Sequence, residues 1–284
     1  MTAKILNGER IAKDIRKQVK AKLEQRAQRG LRLPNLSVVL VGDDPASELY
    51  VRLKKRDCED AGIDCHVYHL PASAQEAEVC ALVKRINADP LVDGILVQLP
   101  LPSHLNDLNV IGELAPRKDI DGVSPHNMGL LTLRHPAHRS CTPKGVMTLL
   151  RHTGEDLLGT HSVVVGASNH VGRPMGLELL LVGSTVTTAH KFTRNTKELV
   201  READILVSAT GKAGLIQKDW VKPGAIVIDV GIEQQPDGSL RGDVDFEGVS
   251  EVASWITPVP GGVGPMTRVS LLQNLLDSVN RATN

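Results

Sequence analysis

Aromatic residues are nearly missing from this chain. Two each of Trp, Tyr and Phe make up 2% of the sequence, too few for a platform on which unpaired bases could stack. A net charge is missing as well: Lys+Arg and Asp+Glu both number 33, and a surface without net charge does not track a phosphate backbone. Nucleic acid is therefore not an expected partner. No apolar run approaches the roughly 18 residues of a membrane span. The opening MTAKILNGERIAKDI scatters charge and has no apolar core of a secretory signal. The expectation is a cytoplasmic protein with no membrane partner. Cysteine is scarce, and Cys58, Cys65, Cys80 and Cys141 form neither a CxxC pair nor a metal-ligand spacing. Reduced, mostly buried thiols and no bound metal are expected.

What the chain does have is an apolar fraction of 41%, enough for a real core, arranged as short β-rich runs alternating with helical periods. The first half offers strands at LSVVLVG, HVYHL and DGILVQLP, with helices at SELYVRLKKRDCEDAGI and SAQEAEVCALVKRINAD. The second half repeats the style with HSVVVGAS, STVTTAHK, DILVSATG and GAIVIDVG. Between them, DIDGVSPHNMGLLTLRHPAHRSCTPKG is rich in Pro, Gly and His and poor in periodicity, as a passage between domains should be. The boundary is placed there, giving a first domain over residues 1–141 and a second over 142–265. The closing GPMTRVSLLQNLLDSVNRATN reads as an amphipathic helix whose pattern fits packing on either domain.

In the second half, VVVGASNHVGRPMGLELLL is an apolar strand, a small-residue turn and a helix. That order lets backbone N–H groups and a helix N-terminus face a pyrophosphate. The match to G-x-G-x-x-G is imperfect, with Ser168 in place of the second glycine and Gly172 one residue late, so an ordinary tight turn fits the motif as well. The next strand adds weight to a nucleotide site. It ends not in a ribose-reading acid but in His190 and Lys191, and a cation there favours a 2′-phosphate, hence NADP over NAD.

In the first half, Asp44-Pro45 is a good helix start and Gly62 a good stop, which predicts a helix over Pro45 to Ala61. At about 100° per residue, Tyr50, Val51, Leu53, Cys58 and Ala61 share one face, and Arg52, Lys55, Arg56 and Glu59 the other. Lys54 falls in the middle of the apolar face, one turn from Tyr50. Such a lysine can snorkel past the apolar edge, or be held out of water so that its neutral amine acts as a base beside the tyrosine hydroxyl. Gln98 interrupts ILVQLPLP near the end of a parallel strand, the edge where open α/β sheets place ligands, although a backbone-satisfied core amide fits too. Asp121 in KDIDG has two readings as well, a ligand carboxylate or an Asp-Gly turn former.

The runs YVRLK, DGILVQLPLP, KDIDG, CTPKG, VVVGASNHVGRP, GAIVIDVG and ITPVPGGVGPMT occur in this order across nearly the whole chain. In them the chain closely resembles the bifunctional methylenetetrahydrofolate dehydrogenase/cyclohydrolase family. The resemblance implies a two-domain α/β homodimer: an N-terminal α/β catalytic domain, a Rossmann-like NADP-binding domain, and a C-terminal helix, 266–284, folding back onto the first domain. It implies tetrahydrofolate derivatives as substrates and a role in one-carbon supply for purine, methionine, histidine and formyl-tRNA synthesis. It makes Lys54 the catalytic lysine, Tyr50 its aromatic partner over the folate, Gln98 the amide that bonds the lysine, and Asp121 the carboxylate on the pterin ring. Leu99 and the loop carrying Pro260, Gly261, Gly262 and Pro265 would border the substrate. Gly166, Ala167, Ser168, Val171, Gly172 and Arg173 would line the cofactor phosphates, Lys191 the 2′-phosphate, and Ile232 the nicotinamide.

The implied chemistry is oxidation of the folate methylene bridge with NADP⁺, then attack of water on the methenyl cation and ring opening to the formyl product. The chain departs from the family pattern at Val123-Ser124-Pro125, at Ser140 before CTP, and at Arg268, where a small apolar residue is usual. Two rivals are a non-catalytic NADP-binding module and a dehydrogenase without the hydrolytic step. Neither has a use for Lys54 beside Gln98.

Overall fold

In the computed structural model, which describes residues 2–281, the alternation of strands and helices is realised in full. The chain forms β1 (Lys4–Ile5), α1 (Gly8–Gln28), β2 (Asn35–Val41), α2 (Pro45–Ala61), β3 (Asp64–Leu70), α3 (Glu76–Ala88) and β4 (Gly94–Val97). Short helices α4 (Asp107–Gly112) and α5 (Pro125–Thr132) lead to α6 (Cys141–His152). There follow β5 (His161–Val165), α7 (Gly172–Leu181), β6 (Thr185–Ala189), α8 (Thr196–Arg201), β7 (Ile205–Ser208) and, after a 3₁₀ turn, β8 (Ile226–Asp229). The chain closes with the hairpin β9 (Glu233–Gln234) and β10 (Leu240–Arg241), then α9 (Phe246–Ser250), β11 (Trp255–Ile256) and α10 (Val263–Arg281).

Two compact units result. One holds Lys13–Cys141 with Arg268–Asn284, the other Met1–Ala12 with Thr142–Thr267. The first is built on a three-stranded parallel sheet in the order β3-β2-β4. Its core gathers Val39, Val83, Ile86, Ile95 and Val110, all essentially without exposed surface. The final helix belongs to this unit from Arg268 onward, with Asn274 donating to the Ile120 and Arg139 carbonyls at 2.8 and 2.9 Å. Residues 282–284 of the expected helix lie outside the described residues.

The second unit is a six-stranded sheet, β1-β11-β8-β7-β5-β6, every pairing in it parallel. From β5 the chain steps to β6 on one side and returns to β7 on the other. The strand order therefore reverses between β5 and β7, the place where such sheets bind ligands at the carboxyl ends of their strands.

Two expectations need correction. Residues 1–12, assigned from the sequence to the first domain, cluster with the six-stranded unit, where Lys4 and Ile5 pair with Trp255 and Ile256. A strand of two residues leaves no periodic trace in a sequence. The passage between domains is also not loop throughout. Ser124 caps α5 by accepting from the Asn127 N–H, with Pro125 at the first helical position, a start that needs no N–H from proline. One short helix of this kind is below the length at which a period can be read.

Candidate active site

The start of α2 sets the register of everything on it. Asp44 accepts from the Ser47 N–H at 2.8 Å, Pro45 follows, and Gly62 ends the helix in the left-handed region at φ 79°, where glycine carries no Cβ penalty. Val51, Lys54, Asp57, Cys58 and Ala61 consequently turn inward, while Arg52, Lys55, Arg56 and Glu59 stay in water. Lys54 does not snorkel: it is 8% exposed, and its Nζ donates to Gln98 Oε1 at 3.0 Å.

Gln98 is equally buried and held at both ends. Its backbone N–H continues the β4 pairing to the Val39 carbonyl at 2.9 Å, and its Nε2 donates to the Leu99 carbonyl at 2.6 Å. With the amide nitrogen committed, the oxygen is the end that faces the lysine. One turn before Lys54, Tyr50 is half-buried. Burial pushes its phenol above the ordinary value, and the nearby Arg268 guanidinium works against that shift.

Asp121 lies two residues past Asp119, which bridges to Ile95 in β4 in parallel register. Asp121 sits in the turn that follows this bridge. The turn-former role falls to its neighbour. Asp119, with no exposed surface, accepts from the N–H groups of Gly122, Val123 and Ser124 at 3.0, 3.3 and 2.8 Å and from Asn127 Nδ2 at 2.7 Å. Asp121 is half-buried, and its carboxylate bonds to nothing among the described residues, leaving it available to a ligand.

A further charged residue on the inward face of α2 escaped the sequence reading. Asp57, three residues after Lys54, is buried beside Arg268 at 2.9 Å and Arg16 at 3.8 Å. The helical period pointed it inward as surely as Lys54. Its partners, on α1 and α10, carry no local signal.

In the six-stranded unit the glycine turn after β5 sits at the reversal of strand order. Gly166 donates to the Ala189 carbonyl at 2.8 Å at φ 125°, and a Cβ on it would lie 2.3 Å from the Ala209 oxygen. At Gly172 a Cβ would lie 2.0 Å from the Gly166 oxygen. Both positions admit only glycine, and the turn they form passes straight into the N-terminus of α7. Ser168, in place of a glycine, braces that turn, its Oγ accepting from the Val171 and Gly172 N–H groups at 3.2 and 3.4 Å. Ala167 offers its carbonyl to Arg173 Nε at 3.2 Å. Such a cradle of close backbone and a helix N-terminus fits a dinucleotide pyrophosphate. Because β5 and β6 pair from His161↔Thr185 to Val165↔Ala189, His190 and Lys191 emerge beside it. Lys191 is exposed, its Nζ 4.9 Å from the Phe192 ring centre. Ile232 is 38% exposed, two residues past Val230, whose N–H is held by the Ser208 carbonyl at 2.8 Å.

Two aspartates missed by the sequence reading brace the loops after β8 and β7. Asp229, at the end of β8, accepts from the Gly231, Asp243 and Val244 N–H groups at 3.0, 3.0 and 2.9 Å. Burial raises its carboxyl to about 7 against those bonds. Asp243 accepts from Ser208 Oγ at 2.8 Å and from the Thr210 and Lys212 N–H groups at 2.6 and 2.9 Å. An aspartate closing the apolar run IVID was the one visible hint.

The PGGVGP loop belongs to the six-stranded unit. A cis bond precedes Pro260, and Gly261 has φ 99°. Gly261 accepts from the Glu9 N–H at 3.0 Å, a Cβ on Gly262 would lie 2.5 Å from the Pro258 oxygen, and Pro265 is in the first turn of α10. On the exposed surface of the other unit, Asp43, Glu48 and His69 bring ligand atoms within 4.8 Å of one another, but His69 Nε2 is already 2.9 Å from the Gly42 carbonyl.

Residues 6–121 match the model of the tetrahydrofolate dehydrogenase/cyclohydrolase catalytic domain, and residues 140–283 that of the NAD(P)-binding domain of the same family. A bifunctional methylenetetrahydrofolate dehydrogenase/cyclohydrolase from Campylobacter jejuni is 43% identical, with TM-score 0.95, over 98% of this chain and 99% of that one. The Trypanosoma brucei enzyme of that name, solved with NADP and an inhibitor, is 36% identical, with TM-score 0.96, over 100% and 99%. The Thermoplasma acidophilum bifunctional enzyme is 31% identical, with TM-score 0.91, over 99% and 100%. With both family models matched in order and the glycine cradle and buried lysine in place, the chain belongs to the tetrahydrofolate dehydrogenase/cyclohydrolase family.

Proposed function

We propose that the protein oxidises 5,10-methylenetetrahydrofolate to the 5,10-methenyl form with NADP⁺ and hydrolyses that product to 10-formyltetrahydrofolate, with Lys54 as the base of the second step. The buried contact of Lys54 Nζ with Gln98 Oε1 at 3.0 Å carries the reading, because a module that only binds a cofactor has no use for it.

The roles are those the family resemblance implies, and the positions described above support them. Asp121 accepts the adjacent amino and ring N–H groups of the pterin, a bidentate arrangement a carboxylate suits. Tyr50 and Leu99 flank the ring, and the family resemblance gives Pro260, Gly261, Gly262 and Pro265 a part in substrate binding. Bound NADP⁺ would supply the acceptor for the hydride of the methylene carbon. Gly166, Ala167, Ser168, Val171, Gly172 and Arg173 hold its phosphates, Lys191 its 2′-phosphate, and Ile232 covers the nicotinamide.

In the hydrolytic step the amine of Lys54 takes the proton of the attacking water. Gln98 Oε1, by accepting one N–H, aims the nitrogen lone pair. The family resemblance further supports a cytoplasmic homodimer that supplies one-carbon units for purine, methionine, histidine and formyl-tRNA synthesis.

The test is an assay of purified protein with methylenetetrahydrofolate and NADP⁺. Reduced cofactor is expected to form, followed by decay of the methenyl chromophore faster than in protein-free solution. Reduction without accelerated decay would leave a dehydrogenase alone, and the absence of both would overturn the proposal entirely.

A further inference from the structure

Three segments of the three-stranded unit must keep register for this reaction: α2 with Tyr50 and Lys54, the end of β4 with Gln98, and the turn with Asp121. One helix reaches all three. Near the start of α10, Arg268 Nη1 lies 2.9 Å from Asp57 Oδ2, the two side chains 13% and 8% exposed. Asp57 is one turn from Lys54 and two turns from Tyr50 on the same face of α2.

Six residues on, about 9 Å along the axis, Asn274 donates to the Ile120 and Arg139 carbonyls at 2.8 and 2.9 Å. These two carbonyls bracket the Asp121 turn. Ile120 precedes Asp121 in the chain, and Arg139 backs Gly122, where a Cβ would lie 2.5 Å from its carbonyl carbon. Beside Asn274, Leu275 packs on Gly94, where a Cβ would lie 2.7 Å from Leu275 Cδ1. One turn further, Ser278 Oγ donates to the Asp93 carbonyl at 3.1 Å. Both contacts fall at the start of β4, the strand that leads into Gln98.

The Arg268 contact is the costly one to lose. Removing the guanidinium at 2.9 Å takes a close countercharge from a buried carboxylate.

We infer that α10 registers the catalytic set, with Arg268 and Asn274 as positioning residues: Arg268 sets Lys54 through Asp57, and Asn274 sets Asp121 through the two carbonyls. This inference rests on the roles proposed above for Lys54 and Asp121. It predicts two different kinetic signatures from one helix. Arg268→Met keeps an apolar stem and removes the charge. It should lower the turnover of methenyl hydrolysis about tenfold or more, since small misplacements of a reacting group are that costly, with a smaller loss of oxidation because that step does not use the lysine as a base. Asn274→Leu should instead raise the Michaelis constant for folate in both reactions about tenfold, with turnover at saturating folate kept.

The experiment measures both activities in wild type, Arg268→Met, Arg268→Lys and Asn274→Leu, with rates expressed per NADP-binding site so that misfolded protein is not counted. Arg268→Lys keeps a cation opposite Asp57 without the planar fork. Its ratio of hydrolysis to oxidation should fall in the same direction as that of Arg268→Met but less, so the test survives if the methionine variant does not fold. Proportional loss of both activities, or an unchanged ratio in the Arg268 variants, overturns the inference and leaves α10 a merely structural helix. Absence of either activity in the wild type overturns the proposed function instead.

Discussion

Asp119 and Asp121, two residues apart in one turn, have opposite surroundings: the first accepts hydrogen bonds from Gly122, Val123, Ser124 and Asn127, and the second is half-buried with its carboxylate unengaged among the described residues. Their substitutions should separate accordingly. Asp119→Ala strands several buried N–H groups and should cost about 2 to 4 kcal/mol of stability. Asp121→Ala should leave the unfolding midpoint nearly unchanged and raise the folate Michaelis constant about tenfold or more, on the order of the loss of a charged hydrogen-bond pair. Denaturant titration and steady-state kinetics on both variants check this, and a collapse of stability in Asp121→Ala with folate affinity intact would make it the turn former after all.

Lys54→Gln keeps much of the stem and removes the amine. Methenyl hydrolysis should fall to background, oxidation should survive in part, and NADP binding should be unchanged. Hydrolysis near the wild-type rate would remove Lys54 from the mechanism.

Asp229 gives stability a pH dependence of known sign. Its carboxyl stands at about 7 against an ordinary 3.8, because burial outweighs the N–H groups it accepts. Below the ordinary value both folded and unfolded chains hold the proton and folding carries no penalty. As pH rises the unfolded chain ionises first, and stability falls until the folded group ionises too, a loss of a few kcal/mol at about 1.4 kcal/mol per unit. The carboxylates held below their usual range, Asp204 among them, act in the opposite sense at lower pH. Urea midpoints from about pH 4 to 8, the span between the two ionisations, should therefore show a downward step in wild type that is missing from Asp229→Asn, whatever that variant's baseline. Parallel profiles would place the group at its ordinary value.

Cofactor choice depends on Lys191. A charge-assisted contact between an exposed lysine and a 2′-phosphate is worth roughly one to a few kcal/mol, about tenfold in affinity. Lys191→Ala should raise the Michaelis constant for NADP⁺ by that factor, barely change that for NAD⁺, and the wild-type preference should shrink with salt. An NADP⁺ preference untouched by the substitution would mean that the 2′-phosphate is read elsewhere, Arg194 being the next cation on the same loop.

Local rules carried far in this chain because they act over one turn or one strand. Asp44-Pro45 and Gly62 define α2 to the residue, since a cap and a left-handed stop are chemistry between near neighbours, and the helical period then aims Lys54 inward. The alternation of apolar runs likewise yields two α/β units and the glycine turn after β5. What the sequence left open were choices of partner. That Lys54 bonds Gln98 rather than reaching water, that Asp119 and not Asp121 holds the turn, that Asp57 meets Arg268, and that two residues near the N-terminus join the far edge of the second unit's sheet all depend on segments brought together only when the chain closes. A side chain's period tells which way it points, but the group it meets is decided by the packing of distant elements, where burial makes an unpaired charge or N–H too costly to leave.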